Sequence, residues 1–212
     1  MYQIEVPEVV DIYDDLGKPI GVKPRRQVHR DGDWHFTFHC LVVSGSADSL
    51  SFVLQRRSRY VDEYPGLIDV TVGGHLHAGE RMTDGVRELR EELGLDVAFG
   101  SLDPLGRYPI IVRGGGVWIR EWSEIFVLHD DRPPTDFAFD PNEVGSLVSI
   151  PVSSGRALWR GEIEVTSAVE SVAGTAVQRI VRASDFVNDV PGYWHYVSDA
   201  VLERYGRCLP RG

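Results

Sequence analysis

The sequence has few cysteines, no long apolar run and no excess of positive charge. Two cysteines in 212 residues, Cys40 and Cys208, are too few for a disulfide framework or for a zinc site built on cysteine. No apolar stretch is long enough to span a bilayer, and the first residues lack the basic and apolar segments of a secretory leader. We therefore expect a cytoplasmic protein that does not enter a membrane.

Acidic residues outnumber basic ones by 32 to 22, which gives a net charge of -10. Nucleic acids and membrane surfaces are themselves anionic, so this surplus argues against either as a general partner. The content of hydrophobic residues, 42%, is ordinary for a globular chain of this length. We expect a single domain over 1–212 that binds a small molecule. A phosphorylated ligand would require a bound cation to reverse the local charge.

Apolar alternation and turn residues predict an α+β fold with a mixed sheet. The predicted strands are a hairpin over 9–22 and segments 36–43, 51–56, 68–72, 95–99, 109–112, 117–128 and 147–152, with a second hairpin about Gly174. Residues 82–93 have the apolar spacing of a helix, and Gly94 is suited to end it. Two further helices are predicted near 156–160 and 194–205.

Three glutamates stand at helical spacing in the predicted helix over 82–93. Glu88, Glu91 and Glu92 occupy positions i, i+3 and i+4, so their carboxylates share one face. Like charges on one face repel each other, and a divalent cation such as Mg²⁺ or Mn²⁺ would relieve the repulsion. For the helix taken alone, a solvated acidic face without a ligand is the commoner explanation. The surrounding residues favour the metal site.

Residues 74–95 resemble the signature of the Nudix hydrolases. Five residues separate Gly74 from Glu80, and residues 87–95 (RELREELGL) match every fixed position of the second half of the signature. Six residues separate Glu80 from Arg87, where the family usually has seven. Starting at Gly73 restores that spacing but puts Gly79 in place of the glutamate, so the role of Glu80 stays open.

The resemblance implies a Nudix-type α/β/α sandwich and a metal-dependent hydrolase that cleaves a diphosphate linkage. Mg²⁺ is the expected ion, with Mn²⁺ as an alternative. The implied catalytic residues are Arg87, Glu88 and Glu91, and the implied metal contacts are Glu80, Glu88, Glu91, Glu92 and the backbone at Gly74. Arg87 would orient the glutamates, and Glu88 would be either a ligand or the general base.

A second resemblance, to the Nudix branch that includes isopentenyl-diphosphate isomerase, covers much of residues 9–152. Residues 28–39 (VHRDGDWHFTFH) and 54–58 (LQRRS) carry it, together with Asp62, 64–66 and Asp69 before Gly74 and His75. That branch has a catalytic cysteine immediately before its Gly-His pair. Here that position is Gly73, and proton addition to an alkene needs a positioned acid. The missing cysteine argues against isomerase activity, and an isomerase-like enzyme is kept only as the alternative to the hydrolase.

Other candidate site residues lie outside the helix. His35 and His75 match metal-ligand positions of the isomerase relatives, and His29 matches a third with a one-residue offset; packing or substrate contact is the alternative role for all three. A further ligand or general base could come from Glu121, Glu124 or Glu143. Of these, Glu124 is placed like one of two metal carboxylates of those relatives, and the second would fall on Trp122. Arg56, Arg57 and His75 are candidates for substrate binding.

Residues 153–212 match no family motif and form a C-terminal extension that we expect to pack on the domain. Their aromatic side chains suit a sheet cover, a cap over the pocket or a homodimer interface. A catalytically silent nucleotide sensor is a further alternative function. The retained carboxylates and the balanced charge of the extension do not favour it.

Overall fold

The structure is a computed structural model that describes residues 8–187 and 190–206. In these residues eleven strands form one mixed sheet, accompanied by four α-helices. The strands are β1 (Val9–Tyr13), β2 (Pro19–Pro24), β3 (Trp34–Ser44), β4 (Ser51–Arg57), β5 (Ile68–Asp69), β6 (Val72–His75), β7 (Asp103–Gly114), β8 (Val117–His129), β9 (Val144–Pro151), β10 (Thr166–Val172) and β11 (Thr175–Val181). The helices are α1 (Arg25–Asp31), α2 (Arg87–Leu93), α3 (Val152–Trp159) and α4 (Tyr193–Tyr205). Cys208 and the first seven residues lie outside the described chain.

The sheet runs in the order β11-β10-β9-β4-β3-β1-β2, and β8 pairs in parallel with β3 while β7 pairs with β8. Alternate residues of β3 enter two separate cores. Phe38 and its same-face neighbours pack with Leu89 and Leu93 of α2, whereas Leu41 on the other face belongs to the core that includes Trp194 of α4. Helices thus cover both faces, and the predicted α+β fold with a mixed sheet is confirmed.

The sheet divides between β3 and β4, and this division positions the functional site. The two strands pair directly over 42–44 and 51–53; beyond that point β6 pairs with β3 and β5 pairs with β4. The Thr71 hydroxyl spans the division, since it accepts from the Val42 N–H at 2.8 Å and donates to the Val53 carbonyl. The predicted strand over 68–72 is therefore two short strands with a crossing between them.

Two other predictions differ from the structure around α2. The predicted helix over 82–93 consists of a 3-10 turn at Met82–Val86 followed by α2. The predicted strand over 95–99 is wrong. Gly94 adopts a left-handed conformation, and the Leu95 N–H donates back to the Leu89 carbonyl at 3.0 Å. Leu95 therefore caps the helix with an apolar contact instead of pairing in the sheet.

The C-terminal extension packs on the face of the sheet opposite α2. Trp159 of α3 stacks on Trp194 of α4 with ring centroids 4.6 Å apart, and both belong to the core that contains Phe52 and Ile125. Among the described residues, no helix has the length and apolar character required to cross a membrane.

Candidate active site

A cavity of about 270 Å³ opens where β3 and β4 separate. Its lining is divided into a polar part and an aliphatic part. The polar part includes Gln55, Arg57, His75, Glu92, Glu121 and Glu143. The aliphatic part consists of Val70, of Ile110, Val112 and Ile119 from β7 and β8, and of Val187 and Val190 from the C-terminal extension. A polar ligand with an uncharged portion is the kind of molecule that such a lining suits.

Helix α2 carries two buried carboxylates, Glu92 at the cavity wall and Glu88 against Gly74, which also lines the cavity. Glu92 lines it and is 8% exposed; its carboxylate accepts from Gln55 Nε2 at 3.0 Å and from the Gly73 N–H. Glu88, 9% exposed, lies against Gly74, where a Cβ atom would fall 2.0 Å from Glu88 Oε1. Glycine at 74 therefore leaves the space that the Glu88 carboxylate fills.

Arg87 holds the acidic groups of the signature together. Its guanidinium donates to Glu80 Oε1 at 2.9 Å, to Glu88 Oε1 at 2.7 Å and to Glu91 Oε2 at 3.1 Å. It also donates to the His75 carbonyl at 2.8 Å, which ties α2 to the end of β6. Glu80 and Glu91 thus reach the site through Arg87, and the Glu91 side chain is 52% exposed.

Burial makes an unmatched negative charge costly at both glutamates. It raises the pKa of Glu88 to about 7, against an opposing effect of Arg87. It raises the pKa of Glu92 well above its usual range, and the neighbouring Glu88 carboxylate adds to the shift. Two carboxylates that resist ionisation beside a cavity are the groups that a divalent cation would stabilise.

Three histidines and one glutamate converge on the face of the sheet opposite α2, and two of the four, His75 and Glu121, line the cavity. Glu121 Oε1 lies 3.6 Å from His29 Nε2 and 3.3 Å from Nε2 of both His35 and His75. One ligand atom from each of the four residues lies within 4.8 Å of every other. The parallel register of β3 and β8 places His35 directly beside Glu121.

The protonation of this cluster suits metal ligation, because a metal binds neutral imidazole and ionised carboxylate. Burial, reinforced by His75, lowers the pKa of His29 to about 3. Burial also lowers the pKa of His75. At Glu121 burial acts to raise the pKa, but hydrogen bonds from His35 and His75 outweigh it and hold the pKa well below its usual range.

The structure does not bring Glu124 or Arg56 to the cavity. Residues 121 and 123 of β8 share one face and 124 lies on the other, where Arg107 Nε donates to Glu124 Oε1 at 2.6 Å. The next residue on the Glu121 face is Ser123, whose hydroxyl bonds Thr37 at 2.7 Å.

Arg56 belongs instead to a group that we name the Glu170 cluster, formed by the Glu170 carboxylate and its three donors. The Glu170 carboxylate accepts from Arg56 Nε at 2.6 Å, from the Ser146 hydroxyl at 2.6 Å and from Arg179 Nε at 2.9 Å. Arg57, the other arginine proposed for substrate binding, lines the cavity, as does the exposed Glu143.

Sequence reasoning missed several residues of this site. Gln55, which bonds Glu92, lies in a strand whose apolar neighbours gave no sign of a polar contact. Helix α1, which carries His29, was not predicted, and its start after Pro24 is the signal that could have revealed it. His39, by contrast, shares the strand parity of His35, which indicates the same face of β3 from the sequence alone, and it lines the cavity.

The comparisons with known proteins agree with this geometry. The NUDIX domain family model matches residues 33–164. An uncharacterized Nudix hydrolase of Clostridium acetobutylicum is 31% identical over 203 residues, which cover 93% of this chain and 98% of that protein. An isopentenyl-diphosphate Delta-isomerase of Mycolicibacterium vanbaalenii is 35% identical over 160 residues, which cover 74% of this chain and 84% of that protein.

The fold has a solved counterpart as well. A crystal structure of a Deinococcus radiodurans protein superposes with a TM-score of 0.54 at 20% identity, covering 71% of this chain and 87% of that one. The family match covers more than half of the chain, and the Clostridium relative is matched over nearly its whole length. The chain belongs to the Nudix hydrolase family of enzymes.

Proposed function

We propose that this enzyme hydrolyses a diphosphate linkage in a nucleoside diphosphate derivative or a similar small organic diphosphate. The observation that carries the proposal is the pair of buried carboxylates, Glu88 and Glu92, beside the cavity at Gly73 and Gly74. The polar contacts of Glu92 within the described chain come from neutral donors, Gln55 and the Gly73 N–H. A divalent cation would compensate the negative charge of the two carboxylates in their ionised form.

The donor chemistry favours a different ion for each group of residues. Glu88 and Glu92 offer hard oxygen ligands, which suit Mg²⁺. The cluster of His29, His35, His75 and Glu121 offers three imidazole nitrogens and one carboxylate, which suit Mn²⁺ or Zn²⁺ better than Mg²⁺. When bound, a cation at the glutamates supplies a water of lowered pKa and neutralises charge on the phosphoryl oxygens.

The protein's own side chains bind the diphosphate and hold the reacting groups in position. Arg87 fixes the Glu88 carboxylate through a 2.7 Å hydrogen bond, so that Glu88 serves as ligand or base in a constant position. Arg57 lines the cavity and offers positive charge to the diphosphate. Glu143, exposed at the cavity wall, is a second candidate for the base that accepts a proton from the attacking water.

The test is hydrolysis of a panel of diphosphates by the wild-type protein and by Glu92→Gln in Mg²⁺. The panel contains nucleoside diphosphate sugars, dinucleoside polyphosphates and aliphatic diphosphates. We expect Glu92→Gln to lower kcat/KM by at least about 100-fold, the order of loss typical of a removed electrostatic group. Glu203→Gln, on the exposed face of α4, is the matched control and should keep the wild-type rate. A wild-type rate in Glu92→Gln would refute the assignment.

An isomerase acting on an aliphatic diphosphate is the second candidate, because the Mycolicibacterium relative bears that name. Two positions argue against it. Gly73 stands where the isomerase branch has its catalytic cysteine. On β8, the residue that follows Glu121 on the same face is Ser123, so the second of the two metal carboxylates of that branch is missing. Product analysis in the same panel separates the two reactions, since hydrolysis breaks the P–O–P linkage and leaves two phosphorylated products, whereas isomerisation leaves the diphosphate intact. Tight ligand binding without turnover would favour a sensor instead. We expect the enzyme to act in the cytoplasm.

A further inference from the structure

A histidine of the sheet and a tyrosine of the C-terminal extension form a pair at the cavity. His39 Nδ1 lies 2.8 Å from the hydroxyl of Tyr193, and the two rings meet edge to face. His39 lines the cavity, whereas Tyr193 is 6% exposed at the first turn of α4. Neither residue belongs to the metal-binding groups described above.

The segment that carries Tyr193 is fastened to the sheet. Trp194 Nε1 donates to the Val187 carbonyl at 2.7 Å, and the Tyr108 hydroxyl donates to the Pro191 carbonyl at 2.9 Å. The Val187 N–H donates to the Ile68 carbonyl of β5 at 2.8 Å. These bonds attach Val187, Pro191 and Trp194 to one another and to the sheet, so the position of the Tyr193 hydroxyl is set by the fold.

The Tyr193 hydroxyl favours the tautomer of His39 whose Nδ1 carries no proton. Burial raises the pKa of Tyr193 well above its usual range, so its hydroxyl keeps its proton. Among the described residues, His39 Nδ1 is the acceptor that this hydroxyl reaches. A neutral imidazole that accepts at Nδ1 carries its hydrogen on Nε2. His39 therefore presents an N–H donor on the side away from Tyr193.

Gly73 leaves room for this ring. His39 and Gly73 are directly paired between β3 and β6. A Cβ atom at residue 73 would lie 3.3 Å from His39 Cδ2 and 3.6 Å from His39 Nε2. Any larger side chain at 73 would press on the imidazole and cover Nε2. The glycine that argues against an isomerase thus leaves His39 Nε2 uncovered beside the cavity.

We propose that His39 is a substrate-binding residue that donates a hydrogen bond from Nε2 to a phosphoryl oxygen, and that Tyr193 is the residue that positions it. The C-terminal extension is then part of the active site. The proposal deepens the proposed function and rests on it for the identity of the ligand as a diphosphate. A neutral donor is well suited to a cavity that already contains Arg57 among several carboxylates.

The experiment measures binding of inorganic pyrophosphate in Mg²⁺ by titration calorimetry, with the full chain. We expect Tyr193→Phe and His39→Ala each to weaken binding by about tenfold, the value of one hydrogen bond to a charged group. His39→Gln keeps an N–H donor near the same point and should recover most of that loss. Tyr196→Phe is the matched control, because its hydroxyl bonds the Leu105 carbonyl, away from His39.

A spectroscopic measurement separates positioning from a purely structural role. In the ¹⁵N imidazole spectrum, His39 of the wild-type protein should show a protonated Nε2 whose signal moves when pyrophosphate is added. Tyr193→Phe should lose the preference for that tautomer. If Tyr193→Phe lowers only the melting temperature and binds pyrophosphate as the wild type does, the proposal is overturned.

The two proposals can fail separately. If the wild type binds pyrophosphate in a His39-dependent manner yet hydrolyses no member of the panel, the hydrolase function fails and the binding role of His39 stands. If the wild type hydrolyses diphosphates and the His39 and Tyr193 variants bind pyrophosphate normally, the role of His39 fails alone. If the wild type neither binds nor hydrolyses, both are refuted.

Discussion

Adding one methyl group at Gly74 should inactivate the enzyme without unfolding it. In Gly74→Ala the new Cβ would lie 2.0 Å from Glu88 Oε1, and the shortest ordinary contact is 3.4 Å. The Glu88 carboxylate must therefore move by about 1.4 Å. Its 2.7 Å hydrogen bond with Arg87 would be lost in the process. Gly74 carries no positive φ, so the backbone itself accepts alanine.

The expected effects on rate and stability differ in size. A displacement of about 1 Å in a positioned group costs about 100-fold in rate, so we expect kcat/KM to fall by about that factor. The displaced atoms are the end of a flexible side chain, and the loss in the free energy of unfolding should stay within about 2 kcal/mol, the value of one charge-assisted hydrogen bond.

Diphosphate hydrolysis in Mg²⁺ and urea unfolding measure these two quantities. The matched control is Gly100→Ala, because a Cβ there meets nothing within 4 Å. The control should keep wild-type activity. Gly74→Ala activity within threefold of the wild type would show that the position of the Glu88 carboxylate does not matter, and the reasoning would be refuted.

Three further predictions concern other parts of the chain. Hydrogen bonds in the Glu170 cluster lower the pKa of Glu170 against the effect of burial. The stability that they contribute is therefore lost as pH falls below about 4.5. In urea titrations, Glu170→Gln should lower the free energy of unfolding near neutral pH and make it depend less on acid pH. Glu121→Gln should weaken Mn²⁺ binding by at least about tenfold in calorimetry, since it removes the carboxylate on which the three histidines converge. Unchanged affinity would exclude the group of three histidines and Glu121 as a metal site. Burial raises the pKa of the Cys40 thiol, so little reactive thiolate is present. In a Cys208→Ser variant, the native protein should therefore resist thiol reagents and retain its activity. Rapid modification with loss of activity would contradict a mechanism without cysteine.

The strands and helices with strong local patterns could be predicted from the sequence. The two hairpins are indicated by their turn residues, β8 and the terminal helix by their apolar residues, and Gly94 ends α2 as its position indicates. The short elements could not be predicted in the same way. The division of residues 68–75 into two strands depends on the Thr71 hydroxyl, which bonds two different strands far away in sequence. Leu95 looks like the start of a strand and serves as a helix cap.

In the candidate site, too, the sequence predicts what depends on neighbouring residues and misses what depends on residues distant in the chain. The spacing of Glu88, Glu91 and Glu92 correctly puts them on one helix, but it does not reveal that Arg87 holds Glu91 half-exposed while the other two are buried. At β8, the parity of the strand separates Glu121 from Glu124, and the parity becomes useful only when the register with β3 is known.

The central claim is that Glu88 and Glu92 hold a divalent cation beside the cavity. Its most direct test is the anomalous difference map of crystals soaked with Mn²⁺ and pyrophosphate. We predict a peak coordinated by oxygens of both carboxylates, which disappears in Glu92→Gln crystals under the same soak. A map in which Mn²⁺ occupies the cluster at Glu121 while both helix carboxylates remain without an ion would contradict the account.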